Sequence, residues 1–86
     1  MNTNPRFTTN LVYTYDMTDF LQVDTRKLRR LRREAALSQE ELAERAGVWQ
    51  ETISRLERGL HAAQGRTLRG LAAALGVEPK ELMKEE

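Results

Sequence analysis

The 86-residue sequence predicts an all-α fold, a five-helix bundle carrying an N-terminal extension that is strand-like in part. Three observations predict the bundle. Leucines and alanines recur at three- and four-residue spacing from Leu28 to Leu75, the period of helices with one buried face. Gly47, Gly59 and Gly76 fall where the periodic runs end, as left-handed helix stops do. Ser38 with Glu41 three residues later forms the capping-box pattern that opens a helix.

The first helix is expected from Asp24 or Thr25 to about Ala36, with Leu28, Leu31 and Ala35 as its apolar stripe. If Asp24 is the cap, Val23 and Leu28 are placed for a hydrophobic staple. The run RKLRRLRR then turns its leucines to the core and most of its arginines outward, which argues against a nuclear-localisation cluster. The second helix starts near Gln39 behind Ser38 and buries Leu42, Ala43 and Ala46. Gly47 ends it, and a third helix runs from about Gln50 to Arg58 with Ile53 and Leu56 inward. A loop from Leu60 to Gly65 leads to a fourth helix, about Arg66 to Leu75, buried through Leu68, Leu71, Ala72 and Leu75. Gly70 inside it costs about 1 kcal/mol relative to Ala, a cost consistent with a close helix crossing or with a plain weak spot. Pro79 opens a short fifth helix through Met83.

The stretch Leu37 to Gly59 carries the functional information. Two short helices joined by a three- or four-residue turn containing Gly form the helix-turn-helix unit, whose second helix lies in the DNA major groove. The outer face of that second helix holds Gln50, Glu51, Ser54, Arg55 and Arg58, polar side chains suited to base edges and phosphates. Net charge is +1, unevenly spread. Residues 1 to 24 carry one Arg against three Asp, residues 25 to 76 eleven Lys/Arg against six Glu, and the last ten residues two Lys against four Glu. The positive excess therefore sits on the part that contains the two-helix unit.

Zero cysteines exclude disulfides and thiolate metal sites, and the single His61 has no second His or Cys nearby to make a ligand set. No His-Asp-Ser set, paired carboxylates or phosphate loop is present, so the sequence points to a binding module without cofactor rather than an enzyme. No apolar run of 18 residues and no secretory n-region is visible, and a cytoplasmic protein with no membrane contact is expected.

With these residues in place, the sequence resembles the phage repressor and Cro type of helix-turn-helix regulator, the xenobiotic response element family. The pattern runs through Leu28, Leu31, Arg32, Leu37, Ser38, Gln39, Leu42, Ala43, Ala46, Gly47, Val48, Gln50, Thr52, Ile53, Ser54, Leu56, Glu57 and Gly59. It continues in Leu68, Leu71, Ala72, Leu75, Gly76, Val77 and Leu82, covering roughly residues 24 to 84. Repressor and Cro proteins place the second helix of this unit in the major groove.

The resemblance implies a DNA-binding domain at 24–86, double-stranded DNA as main partner, and a homodimeric repressor reading a pseudo-palindrome. It implies base contacts by Gln50, Glu51 and Arg55, where glutamine suits adenine and a carboxylate suits the cytosine amino group. It implies phosphate contacts by Gln39, Thr52, Arg58, Arg66 and Arg69, with further candidates in the loop after Gly59. Arg32 and Glu57 match a partly buried ion pair with an architectural role. Trp49 departs from the pattern: it stands where a capping Ser or Thr is common, and is expected to pack on the helix behind it rather than on a sugar-phosphate edge.

Residues 1–23 lie outside the resemblance and hold four of the five aromatics, Phe7, Tyr13, Tyr15 and Phe20. The alternation around Leu11 to Tyr15 is strand-like, and two readings stay open: a strand that pairs across a dimer, or an unstructured tail. An alternative function rests on the same segment. Residues 7–20 would grip a partner protein in an antitoxin-type module that also regulates its own operon.

Overall fold

A computed structural model of the chain describes residues 20–59 and 62–85. The strand expected at Leu11 to Tyr15, His61, and all of the 7–20 segment except Phe20 lie outside the described residues.

Among the described residues, four α-helices and one 3-10 turn form the bundle: α1 Thr25–Glu34, α2 Gln39–Ala46, α3 Gln50–Glu57, α4 Gly65–Leu75, and the turn Pro79–Leu82. The expected fifth helix is thus corrected to a single 3-10 turn. Pro79 contributes no amide, and i→i+3 bonds close the segment, from the Glu81 amide to the Glu78 carbonyl at 2.9 Å and from the Met83 amide to the Lys80 carbonyl at 3.2 Å.

Each helix boundary has a local cause. Asp24 caps α1, its carboxylate accepting from the Lys27 amide at 3.1 Å, and Val23 and Leu28 on either side of the cap are both buried. Ser38 caps α2 in a reciprocal capping box, with Ser38 Oγ accepting from the Glu41 amide and Glu41 Oε1 from the Ser38 amide, each at 2.9 Å. The hydrogen bond from the Ser38 amide, helped by the Ser38 hydroxyl, holds the Glu41 carboxyl below its ordinary value. The α2 and α4 helices end at Gly47 (φ +74°) and Gly76 (φ +73°) in Schellman turns, closed by bonds from Val48 to Ala43 and from Val77 to Ala72, each 3.0 Å. The same turn ends α1 earlier than the sequence suggests, at Ala35, with bonds from Ala36 to Arg33 (2.9 Å) and from Leu37 to Arg32 (3.1 Å). Ala36 occupies its left-handed position at φ +58°.

A short two-stranded sheet, unforeseen in the sequence, ties Phe20 and Leu21 to the bundle. Strand β1, Phe20–Leu21, pairs antiparallel with β2, Ala63–Gln64, in register Phe20 to Gln64 and Leu21 to Ala63. Beyond it Val23 bridges Met83, the Lys84 amide donates to the Gln22 carbonyl at 3.0 Å, and the Asp24 amide donates to the Leu82 carbonyl at 2.8 Å. Residues 20–23, assigned to the extension by sequence, therefore belong to the folded body, with Val23 in its core.

The largest fully buried side chains of that core are Leu28, Leu42, Ile53, Leu56, Leu68, Leu71 and Leu82, one or more from every described helix and the 3-10 turn. The α2 and α4 helices cross at Gly70, where an added Cβ would lie 2.7 Å from the Ala46 carbonyl oxygen. Of the two readings of Gly70, the structure selects the close crossing. Among the described residues, no helix is long and apolar enough to cross a membrane.

Candidate nucleic-acid interface

The placement of α3 is set from behind. Arg32 on α1 and Glu57 at the end of α3 form a bidentate pair, with Nε to Oε2 at 2.6 Å and Nη2 to Oε1 at 2.9 Å. Arg32 Nη1 also donates to the Leu37 carbonyl at 2.8 Å, and Gln39 Nε2, on the first residue of α2, donates to Glu57 Oε1 at 3.1 Å. One carboxylate thus joins the end of α3 to α1 and to the start of α2. Burial alone would raise the Glu57 pKa, but the hydrogen bonds from Arg32 and Gln39 and the charges of Arg32 and Arg29 outweigh it, so the carboxyl lies below its ordinary value. The Glu57 hydrogen bond in turn raises the Arg32 pKa.

Two contacts escaped the sequence reading. The last carbonyls of α3 have no partner within the helix. Thr25 Oγ1 donates to the Leu56 carbonyl at 3.2 Å and Arg29 Nη2 to the Glu57 carbonyl at 2.7 Å, so α1 side chains cap α3 from outside. Only the register of the α1 arginines could have hinted at this, since Arg29 lies one turn before Arg32.

With its back fixed, α3 presents Gln50, Glu51 and Arg55 as exposed residues, with Arg58 exposed just past its end and Thr52 half-buried. Glu51 and Arg55 face each other across one turn, Arg55 Nε donating to Glu51 Oε2 at 3.1 Å. This exposed pair is worth only about 0.3–0.5 kcal/mol, small enough to open when a stronger partner arrives. Arg66 and Arg69 are exposed on the first turns of α4, and the Arg69 guanidinium folds back toward Gly65. Thr52 and Arg66 line one open cleft of about 720 Å³ between the α2–α3 turn and the start of α4. Gln39 is set apart from them, half-buried and engaged with Glu57. The residues singled out by sequence thus fall into an exposed row on α3, a pair at the start of α4, and a hydrogen-bonded cluster beneath.

Trp49 requires a correction. Its side chain does not pack on the helix behind it; it is 81% exposed. The preceding Val48 is the residue that packs against the core, and Trp49 follows in extended backbone (φ −77°, ψ 147°) at the N-cap of α3, where it makes no capping hydrogen bond. Successive side chains of an extended segment point to opposite sides, so burying one exposes the next. Among the described residues, no group of three or more His, Cys, Asp and Glu is arranged to hold a metal ion.

This architecture has known counterparts. The helix-turn-helix family HTH_3 matches residues 28–82. An uncharacterised HTH-type transcriptional regulator of Sinorhizobium fredii is 47% identical over 66 residues, spanning 71% of this chain and 86% of that protein. The restriction-modification controller protein C.AhdI from Aeromonas hydrophila superposes with a TM-score of 0.66 at 37% identity, over 69% of this chain and 89% of its own. The N-terminal DNA-binding domain of SinR from Bacillus subtilis superposes with a TM-score of 0.67 at 32% identity, over 72% of this chain and 91% of its own. SinR, described as a master regulator for biofilm formation, has also been solved in complex with DNA. On sequence and on fold alike, the chain belongs to the helix-turn-helix family of the Cro/C1, or xenobiotic response element, type, together with transcriptional regulators.

Proposed function

We infer that this protein is a sequence-specific double-stranded DNA-binding transcriptional regulator, acting as a dimeric repressor with α3 in the major groove. The observation that carries this reading is the contrast between the two sides of α3. Its back is fixed to α1 and α2 by the Arg32–Glu57–Gln39 cluster, while its front is an exposed row of Gln50, Glu51, Arg55 and Arg58. Side chains on a rigid helix are the arrangement that base readout needs.

In this reading Gln50 donates to and accepts from an adenine, and Glu51 accepts from a cytosine amino group. Arg55 leaves Glu51 for a guanine or a phosphate. Thr52, Arg58, Arg66 and Arg69 meet phosphates, as does Gln39 with the amide hydrogen not given to Glu57. Support comes from the DNA-bound SinR neighbour and from the positive charge of residues 25 to 76. Two-fold pairing of the chain would set two α3 helices about 34 Å apart, one turn of DNA. The antitoxin-type alternative depends on residues 7–20, and no described contact favours it.

The test is selection of bound duplexes from random DNA, followed by titration at several salt concentrations. A defined consensus is expected, with log affinity falling by about 0.9 per log salt for each phosphate neutralised. Recovery of no consensus, together with salt-independent binding, would overturn the reading.

A further inference from the structure

We propose that Trp49 is a specificity-determining residue of the interface, its indole packing on apolar DNA surface beside the base pair read by Gln50. This rests on the DNA-binding reading above and assigns to that site a residue it does not explain.

The placement of Trp49 is costly on both ordinary grounds. At an N-cap, Ser, Thr, Asp or Asn would accept from a helix amide; Trp49 makes no such bond, so α3 goes without. Nor does the ring gain anything from the core, being 81% exposed. Besides Phe20, it is the only large hydrophobic side chain exposed among the described residues. Its position supplies the missing reason. The indole forms part of the rim of the cleft shared with Thr52, Gln64 and Arg66, directly before Gln50 and Glu51 in the chain.

A reading helix meets base edges with its N-terminal residues, so the residue at its N-cap lies where the groove floor meets the strand wall. Charged phosphate is not the partner of a neutral ring. The apolar surfaces at that place are the thymine C5-methyl and the deoxyribose face, and an indole covers either at low entropic cost because it has only two rotatable bonds. Arg66 on the other side of the cleft would hold the neighbouring phosphate and so fix the distance of the strand from the ring.

The chain contains one tryptophan, so its fluorescence reports this position alone. The experiment titrates wild-type protein with a duplex it has selected from a random pool. In parallel, the affinity of labelled duplex is measured for Trp49→Ser and Trp49→Phe. Tryptophan emission is expected to change saturably with the midpoint of binding. Trp49→Ser is expected to bind about tenfold more weakly, and Trp49→Phe within about threefold of wild type. Because serine restores the helix cap, Trp49→Ser is also expected to melt higher than wild type, which removes misfolding as a cause of lost affinity. Replacing thymine by uracil at the adjoining pairs names the source. Weaker binding assigns the methyl, and unchanged binding assigns the sugar; both carry the contact.

Unchanged emission at saturating DNA, with Trp49→Ser binding as wild type does, overturns the proposal and leaves the DNA-binding reading standing. Emission that follows protein concentration without DNA overturns it in favour of a contact between copies. Failure to select any duplex strikes the broader reading instead.

Discussion

Arg32 and Glu57 meet in a bidentate pair at 2.6 and 2.9 Å, and the same Glu57 carboxylate accepts from Gln39 at 3.1 Å. The three residues lie on α1, α2 and α3, so one buried carboxylate sets the angle between the two helices of the helix-turn-helix unit. Its worth is orientation more than net stability, because desolvating both charges cancels much of their attraction.

That distinction can be measured. Glu57→Ala leaves buried Arg32 without its counter-charge and is expected to cost about 3–5 kcal/mol in denaturant unfolding. The double variant Arg32→Met, Glu57→Leu removes both charges and is expected to recover most of that loss. If the double variant is as unstable as Glu57→Ala, the pair is a true stabiliser and the orientation argument fails.

Acid should act through the same residue. Glu57 and Glu41 both titrate below the ordinary value of 4.5 in the folded chain, so the folded state holds their ionised forms more strongly than the unfolded chain does. The stability they contribute is fully present above about pH 4.5 and is lost as the pH falls through their lower folded values. Melting temperature is therefore expected to be level from neutrality to about pH 5 and to drop below it. In Glu57→Gln the drop should be shallower, although the starting stability is lower. An equally steep drop would assign acid sensitivity to other carboxylates.

Ala36 sits at φ +58°, the left-handed position of the turn that ends α1, where Gly47 and Gly76 serve for α2 and α4. A Cβ there costs about 1–2 kcal/mol in local strain, part of which glycine returns as extra unfolded-state entropy. Ala36→Gly is expected to raise stability by about 0.5–1 kcal/mol, read as a shift of the urea midpoint at constant slope. A destabilised variant would mean that the Ala36 methyl makes a contact worth more than the strain.

Gly70 predicts the reverse sign. The Cβ of Gly70→Ala would lie 2.7 Å from the Ala46 carbonyl, a backbone atom that cannot rotate away, so α2 and α4 must part. Helix propensity favours alanine by about 1 kcal/mol, yet the overlap is expected to outweigh it and leave a net loss of about 1–3 kcal/mol. Thermal unfolding that rises on this substitution would show the crossing to be looser than the structure has it.

What was legible in the sequence follows the range of the interactions involved. Caps and stops are local, and Asp24, Ser38, Gly47 and Gly76 stand within about a residue of the boundaries they announced. The apolar period placed Leu28, Leu42, Ile53 and Leu68 in the core for the same reason. The β1–β2 pairing joins residues over forty positions apart through two residues each, too short for a period to register. The Thr25 and Arg29 bonds to the α3 carbonyls depend on how helices lie together, which spacing along one helix does not encode. Trp49 failed for a different reason: aromatic character argues for burial on average, but Val48 had already taken the inward direction.

The division of roles on α3 gives the most direct test of the proposed interface. Gln50 is exposed on its first turn and Arg58 just past its last, so they would meet different parts of a duplex. Gln50→Ala is expected to lose about 1–3 kcal/mol at one base pair of the selected site and little on random DNA. Arg58→Ala is expected to weaken all sequences alike and to lower the salt slope by about 1. Glu51→Ala removes a carboxylate that repels phosphate, so tighter but less selective binding is expected. Binding curves for each variant on selected and random duplexes at two salt concentrations check all three. If Gln50→Ala and Arg58→Ala lose affinity equally on both DNAs, α3 is gripping the backbone rather than reading bases.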